Sequence, residues 1–292
     1  MAKIPAAQVK ELREKTGVGM MDAKKALVET DGDMDAAIEL LHEKGMGASD
    51  KKAHRIAAEG LSTIAVDGNK AAIVEINCET DFVAKTDDFK QLVENIAQAI
   101  NTAEPADLEE AGAADLDGQT ISEAINEATN KIGEKITLRR FSLLSKEDDQ
   151  VFGPYIHGGN QISAVTLLNG GNEDVARDVA MHVSAIDPRY LNRDAVPAED
   201  LAAEKEVLVK EALEEGKPEN IVEKMVEGRL NKWLAEISLV DQDFVKNPDI
   251  TVGKYLEENN AEVVTYARFE VGEGIEKRVE NLADEVAKEL NN

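Results

Sequence analysis

The sequence predicts an α+β protein: a helical bundle, then two bodies that each back a three-stranded antiparallel sheet with helices, the second carrying a helical insertion. Three observations carry this expectation. Apolar residues recur at helical spacing through about the first 45 positions, between glycine-containing breaks. Period-two segments come in pairs joined by tight-turn residues instead of alternating singly with helices, which disfavours a doubly wound sheet. The order hairpin, helices, single strand occurs twice, with slight identity between the copies.

Taken in order, the first helix is expected over 6–15, ending at Thr16-Gly17-Val18-Gly19. The second spans 22–29 and breaks at Asp31-Gly32; the third spans 34–44, with Asp33 as N-cap and Gly45 as stop. Residues 45–52 are small, polar and basic and read as a linker. Strands over 61–67 and 70–78 form a hairpin around Asp67-Gly68-Asn69; in the second, Ala72, Val74, Ile76 and Cys78 alternate with Glu75 and Asn77. Helices follow over 86–102 and over 121–132, the latter opened by the capping box Thr120-x-x-Glu123, and a strand over 136–144 closes the first body. The second body offers strands over 151–156 and 161–168 around Gly158-Gly159-Asn160, helices over 173–186 and 252–258, and a strand over 262–271.

The insertion, about 187–247, holds two charged helices separated by Gly216-Lys217-Pro218. The second of them carries Val222, Met225, Val226, Leu230, Trp233 and Ile237 as a stripe. Either the two helices cover each other as a hairpin, or part of the stripe meets another subunit. Gly272 and Gly274 end the last strand, and 275–290 is expected to be a terminal helix. The domain limits are 1–55, 56–145, 146–274 and 275–292.

Of 292 residues, 33 are basic and 59 acidic, a formal charge of −26. Such a surface repels phosphate backbones and anionic lipid, so neither nucleic acid nor membrane is expected as a partner. The lone cysteine, Cys78, rules out an internal disulfide framework and suits a reducing compartment. The opening residues do not read as a targeting segment, and no apolar run reaches the roughly 20 residues that span a bilayer, so a cytoplasmic protein is expected.

No constellation for chemistry emerges. Asp31-Gly32-Asp33-Met34-Asp35 begins like a calcium loop, yet Ala36 stands where the bend needs glycine and His42 where a bidentate glutamate belongs. Asn169-Gly170-Gly171-Asn172 leads to Glu173 and Asp174, which repel an anion at that helix start. His42, His54, His157 and His182 lack ligand spacing, and Cys78 reads as a small buried hydrophobe in preference to a nucleophile. The chain is therefore expected to be no enzyme and to need no cofactor or metal.

What remains is protein recognition. Bulky groups are expected in turns at three places: Met20-Met21, Phe82 beside Asp81, and His157 before its Gly-Gly turn. Each has an ordinary alternative. A methionine can complete the bundle core, a loop phenylalanine can fold onto its own body, and the histidine can be a plain turn residue.

Two longer stretches bear on this choice. Residues 12–27, Leu-Arg-Glu-Lys-Thr-Gly-Val-Gly-Met-Met-Asp-Ala-Lys-Lys-Ala-Leu, and 75–85, Glu-Ile-Asn-Cys-Glu-Thr-Asp-Phe-Val-Ala-Lys, resemble the two signatures of the elongation factor Ts family. The resemblance continues at Lys131-Ile132-Gly133-Glu134, Tyr155-Ile156-His157-Gly158, at 224–229 and at 268–277, and so covers essentially the whole chain. It departs at Ile156, where glutamine is expected, and at Glu79, where glutamine is also common.

The resemblance implies an N-terminal ubiquitin-associated-like domain, a core of two subdomains with a helical insertion able to mediate self-association, and a C-terminal module. It also implies a partner, the GTPase elongation factor Tu, for which the protein would be the guanine-nucleotide exchange factor. By the same resemblance Asp81 and Phe82, within Thr80-Asp81-Phe82-Val83, enter the partner near its nucleotide-bound magnesium. Leu12, Arg13, Met20 and Met21 occupy the contact region on its GTPase domain, and Ile132, Gly133 and His157 engage other parts. Two rivals stand beside this expectation: an adaptor acting through the N-terminal domain alone, and a hydrolase using Asp81 and His157.

Overall fold

The computed structural model describes residues 4–16, 20–43, 55–216 and 219–276. The expected linker over 45–52, and residues 277–290 of the expected terminal helix, lie outside the described residues.

Helices α1 (Ala6–Thr16), α2 (Met20–Glu29) and α3 (Met34–Glu43) form the bundle. Val9, Leu12, Ala23, Ala26, Leu27, Ala37 and Leu41 interlock as its core, at the spacing that puts one face of each helix inward. Asp33 caps α3 by accepting a hydrogen bond from the Ala36 amide at 3.0 Å. Helix α2 begins two positions earlier than expected, so Met20 and Met21 lie in its first turn and not in the break before it. Neither methionine belongs to the apolar period, and this hid the helix start.

A hairpin follows, β1 (Glu59–Asp67) and β2 (Lys70–Cys78), and joins β5 (Thr137–Ser145) in a sheet of order β1-β2-β5. Between β2 and β5 lie α4 (Asp81–Ala84), α5 (Asp87–Ala103), α6 (Leu108–Ala113), the short pair β3 (Asp115–Leu116) and β4 (Gln119–Thr120), and α7 (Ile121–Ile132). The expected capping box forms at Thr120 and Glu123 in both directions. Helices α4 and α6 and the β3–β4 pair were not expected, because segments this short carry no readable period.

Strands β6 (Gln150–His157) and β7 (Ile162–Gly170) pair antiparallel from Gln150 opposite Asn169 to His157 opposite Ile162, and β10 (Ala261–Glu270) completes a sheet of order β10-β7-β6. Helix α8 (Glu173–Ile186) lies directly against this sheet. A Cβ on Gly153 would sit 2.1 Å from the Ala176 carbonyl carbon, so only glycine permits the approach. The buried Thr166 hydroxyl donates to the Ala176 carbonyl at 2.7 Å in the same contact.

The insertion contains α9 (Ala198–Glu214) and α10 (Glu219–Ile237), followed by a second short pair, β8 (Asp243–Phe244) and β9 (Asn247–Thr251), and then α11 (Val252–Glu258). Of the stripe, Val222 and Val226 pack on Leu208 and Ala212 of α9, with Leu230 alongside; the two helices thus cover each other. Phe244 was expected within the insertion, yet it enters the core of α8, α11 and β10 and stacks on Tyr255 at 4.2 Å.

Two compact units result, one from Met1–Ser62, Val74–Phe141 and Glu270–Asn292, the other from Thr63–Ile73 and Ser142–Phe269. Among the described residues no helix is long and apolar enough to cross a membrane.

Polar groups buried in each unit were not legible in the strand and helix periods. In the first, Glu75 of β2 is fully buried. Its Oε1 accepts from Arg139 Nη1 and the Gly272 amide, both at 2.8 Å, and its Oε2 from Arg140 Nε at 2.6 Å. Burial alone would raise the carboxyl pKa; the Gly272 amide and the two guanidinium groups outweigh it and hold the value below the usual range. In the second unit, His182 Nδ1 accepts from the Val245 amide at 3.1 Å, so Nε2 carries the proton and donates to Gln242 Oε1 at 2.9 Å. Burial pushes this imidazole pKa down, against a smaller opposing pull from Gln242.

Both shifts are downward, so both groups contribute stability at neutral pH that acid removes. The unfolded histidine takes up its proton near pH 6.5, about two units above where an unfolded glutamate does. Calorimetric melting should therefore show a first loss of Tm as pH falls through about 6.5 and a second below about 4.5. The variant His182→Gln, less stable at pH 8, should lack the first loss; a fall as steep as in the wild type would assign it to another group.

Candidate protein-docking site

The end of β2 leads into a turn made almost entirely of caps. Thr80, in extended conformation, accepts at its side-chain oxygen from the Val83 amide at 3.4 Å and starts α4. Thr86 ends that turn by donating to the Val83 carbonyl at 2.8 Å, and it also caps α5 by accepting from the Phe89 amide at 3.3 Å. Neighbouring residues in a helical turn point about 100° apart, so a single turn must divide them between inside and outside. Here Val83, Ala84 and Phe89 turn inward, while Phe82 stands 79% exposed. The phenylalanine expected in a loop thus sits on a capped helical turn and is aimed away from its own core.

Asp81, beside it, is exposed and bonded to Lys85 Nζ at 2.5 Å; that bond holds its carboxyl below the usual range. Beneath the turn Cys78 is buried and donates to the Thr80 carbonyl at 3.2 Å, and burial, with the nearby Glu134 carboxylate, pushes its thiol up to about 12. A thiol so placed stays protonated at neutral pH and packs as a small apolar group.

The end of α7 approaches from the other side. Ile132 is half-buried, and Gly133 closes the helix at φ 90°, a left-handed conformation that disfavours any side chain although the space around it is open. Glu134 then reaches back across 54 residues of sequence. Its Oε2 accepts from the Glu79 amide at 3.1 Å and the Thr80 amide at 3.0 Å, and its Oε1 from the Thr80 hydroxyl at 2.6 Å. In return Glu79 Oε1 accepts from the Lys135 amide at 2.6 Å and from Arg55 Nη1 at 3.2 Å.

In the bundle, Arg13 is exposed and Met20 and Met21 are 57% and 66% exposed on α2. Leu12 is fully buried in the bundle core, and Val83 nearly so under the α4 turn, so neither side chain is presented to solvent. In the second unit His157 is exposed and is the final residue of β6, not part of the turn itself; Gly158 and Gly159 take positive φ immediately after it. Tyr155 stacks on its ring, and the tyrosine hydroxyl lies 3.1 Å from Nδ1.

The structure therefore brings Thr80, Asp81, Phe82 and Val83 together with Ile132 and Gly133 through a pair of glutamates. Glu79, Glu134, Lys135, Arg55 and Tyr155 were not expected to be part of the site. Glu134 stood inside a matched segment, but no local pattern indicates a contact that far along the chain.

Among the described residues no group of three or more His, Cys, Asp or Glu side chains is gathered as for a metal ion. Fold and site together define an α+β protein that holds one aromatic side chain, Phe82, outward from a capped, hydrogen-bonded turn. The family model described as elongation factor TS matches residues 79–273. The chain is 59% identical over 290 residues to elongation factor Ts of Lactiplantibacillus plantarum, with 99% of both chains covered. It is 57% identical over 291 residues to elongation factor Ts of Lacticaseibacillus casei and of Lacticaseibacillus paracasei, again with 99% of each covered. The chain belongs to the elongation factor Ts family.

The opposite burial of two nearby phenylalanines is measurable. In urea unfolding, Phe82→Ala should change stability by less than about 0.5 kcal/mol, as at an exposed site. Phe89→Ala, which empties a fully buried position, should cost about 3–5 kcal/mol.

Proposed function

We infer that the protein is a guanine-nucleotide exchange factor for elongation factor Tu and promotes GDP release by disturbing the partner's magnesium and phosphate site. Family membership makes it a translation elongation factor; the observation that carries the mechanism is Phe82, 79% exposed on a turn tied down by its main chain.

An exchange factor makes and breaks no bond. It binds the nucleotide-free GTPase more tightly than the loaded one, and by linkage the same difference weakens the nucleotide. Each tenfold of weakening requires about 1.4 kcal/mol. Burying one phenylalanine side chain contributes about 1.5–3 kcal/mol, so Phe82 supplies one or two decades and other contacts must supply the rest. A rigid ring set between the side chains that support a magnesium site disturbs a coordination that tolerates little distortion. Without the cation the phosphates are poorly neutralised. Asp81 reinforces this by drawing on donors of the partner, at the expense of its own Lys85.

The remaining contacts follow the family pattern. Arg13, Met20 and Met21 meet the GTPase domain, with Leu12 and Val83 as supports beneath the contact surface, and Ile132, Gly133 and His157 meet other parts. In this reading residues 1–55 are a ubiquitin-associated-like domain, 56–145 and 146–274 are paired subdomains, the insertion serves self-association, and 275–292 are a C-terminal module.

The test is release of fluorescent GDP from purified elongation factor Tu. The wild-type chain should accelerate it, and Phe82→Ala should lower the second-order rate roughly ten- to a hundredfold, the kinetic equivalent of one buried phenylalanine. Release kinetics indifferent to this substitution would remove Phe82 from the mechanism.

A further inference from the structure

We propose that Glu134 is the positioning residue for Phe82, and that with Glu79 it makes the Asp81–Phe82 turn and the Ile132–Lys135 turn a single rigid docking body. The proposal rests on the exchange reading and adds to it the group that aims the ring.

A side chain as exposed as Phe82 has little packing of its own to orient it, so its direction is set by the backbone that carries it. That backbone is a helix of 4 residues, Asp81–Ala84, far below the length at which a helix persists by itself in water. Its own cap is weak, since the Thr80 oxygen lies 3.4 Å from the Val83 amide. The short contacts come from Glu134, which takes the Thr80 hydroxyl at 2.6 Å and two successive amides at 3.0 and 3.1 Å. A carboxylate accepting three donors forms charge-assisted bonds in a fixed fan, and here the fan ends two residues before the ring.

The bond from Thr80 to Glu134 also leaves the threonine oxygen's lone pair directed at Val83, which sets the cap. The return bond from the Lys135 amide to Glu79, at 2.6 Å, closes the exchange in the other direction. Neither turn can swing without breaking bonds in both. Loss of the Glu134 carboxylate leaves two amides without their acceptor and frees the turn to sample other directions. The ordering cost is then met at the moment of docking, where it subtracts from the energy available to displace nucleotide.

Glu134→Gln is the control that keeps the shape: its carbonyl oxygen can accept both amides, and its amide can donate to the Thr80 hydroxyl. In the protein alone, hydrogen exchange at the amides of 79–83 should speed up in Glu134→Ala, remain near wild type in Glu134→Gln, and be unchanged over the β6–β7 sheet in both. Exchange at 79–83 that is the same in wild type and Glu134→Ala overturns the proposal, whatever the partner does.

With elongation factor Tu loaded with fluorescent GDP, release is followed as a function of factor concentration. Glu134→Ala should lower the maximal rate about tenfold, since transition-state contacts are lost at saturation. A merely underfolded preparation would instead shift the half-saturating concentration and leave the maximum intact. The double variant with Phe82→Ala should be no slower than Phe82→Ala alone, because both substitutions act through one ring. A full tenfold further loss in the double variant, or a maximal rate in Glu134→Ala equal to wild type, also overturns it. Failure of wild type to accelerate release would defeat the exchange reading, while the hydrogen-exchange result would still decide the positioning of the turn.

Discussion

The strand that leads into the Phe82 turn carries a carboxylate sealed from solvent. Glu75 lies within β2, and burying its charge would be prohibitive unless every lone pair found a donor. Donors arrive from β5 through Arg139 and Arg140, from the Gly272 amide after β10, and from Asn77 on the same strand at 3.1 Å. Arg140 also reaches the Glu270 carbonyl at 3.0 Å and the Glu273 carboxylate at 2.9 Å, and Arg139 bonds the Glu273 carbonyl. A buried ion pair of this kind adds little net stability over an apolar core, yet removing one partner typically costs about 3–5 kcal/mol. Its hydrogen bonds tie β2 to β5 and to the segment that follows β10.

β2 ends at Cys78, just before the turn Asp81–Ala84 that carries Phe82. The same logic then repeats on a smaller scale with Glu79 and Glu134, each of which answers main-chain amides of the other's segment. Acidic side chains are abundant in this chain, 59 in all, and among the described residues most are exposed. Glu75, Glu79 and Glu134 differ from these in facing main-chain amides and guanidinium groups of distant segments. Glu75 bonds β2 to the arginines of β5, and Glu134 bonds the residues immediately before the Phe82 turn.

Exposing a large apolar side chain forgoes about 1.5–3 kcal/mol of burial that the fold would otherwise collect. The chain forgoes it at Phe82 and, in part, at Met20 and Met21, while Leu12 and Phe89 are fully buried and Val83 nearly so. Phe82 is followed directly by the nearly buried Val83, and Met20 and Met21 share α2 with the buried Ala23, Ala26 and Leu27.

Much of this was legible in residue order. The capping box at Thr120 and Glu123, the limits of α8 and α11 and the hairpin at Gly68 all follow from apolar periods and from caps, whereas the stripe on the insertion's second helix left open whether it meets its neighbour helix or another subunit, and the packing of Val222 and Val226 on Leu208 and Ala212 decided it. Phe82 stood out as a candidate, an aromatic residue beside an aspartate after a strand, but residue order left open whether it folds onto its own body or faces out; the 79% exposure decided it. Burial of Glu75 and Asn77 was not legible, because on a strand whose two faces are both covered, alternation no longer separates inside from outside. Nor was the one-turn helix α4, or the entry of Phe244 into the second unit's core. By itself the sequence determined what is local: element type, most boundaries, and the candidate aromatic, because period, cap and turn signals act within a few residues. Only the tertiary structure decided which carboxylate meets which amide. Glu134 and Thr80 are 54 positions apart, Glu75 and Gly272 are 197 apart, and partners at such separations are selected by how the whole chain closes.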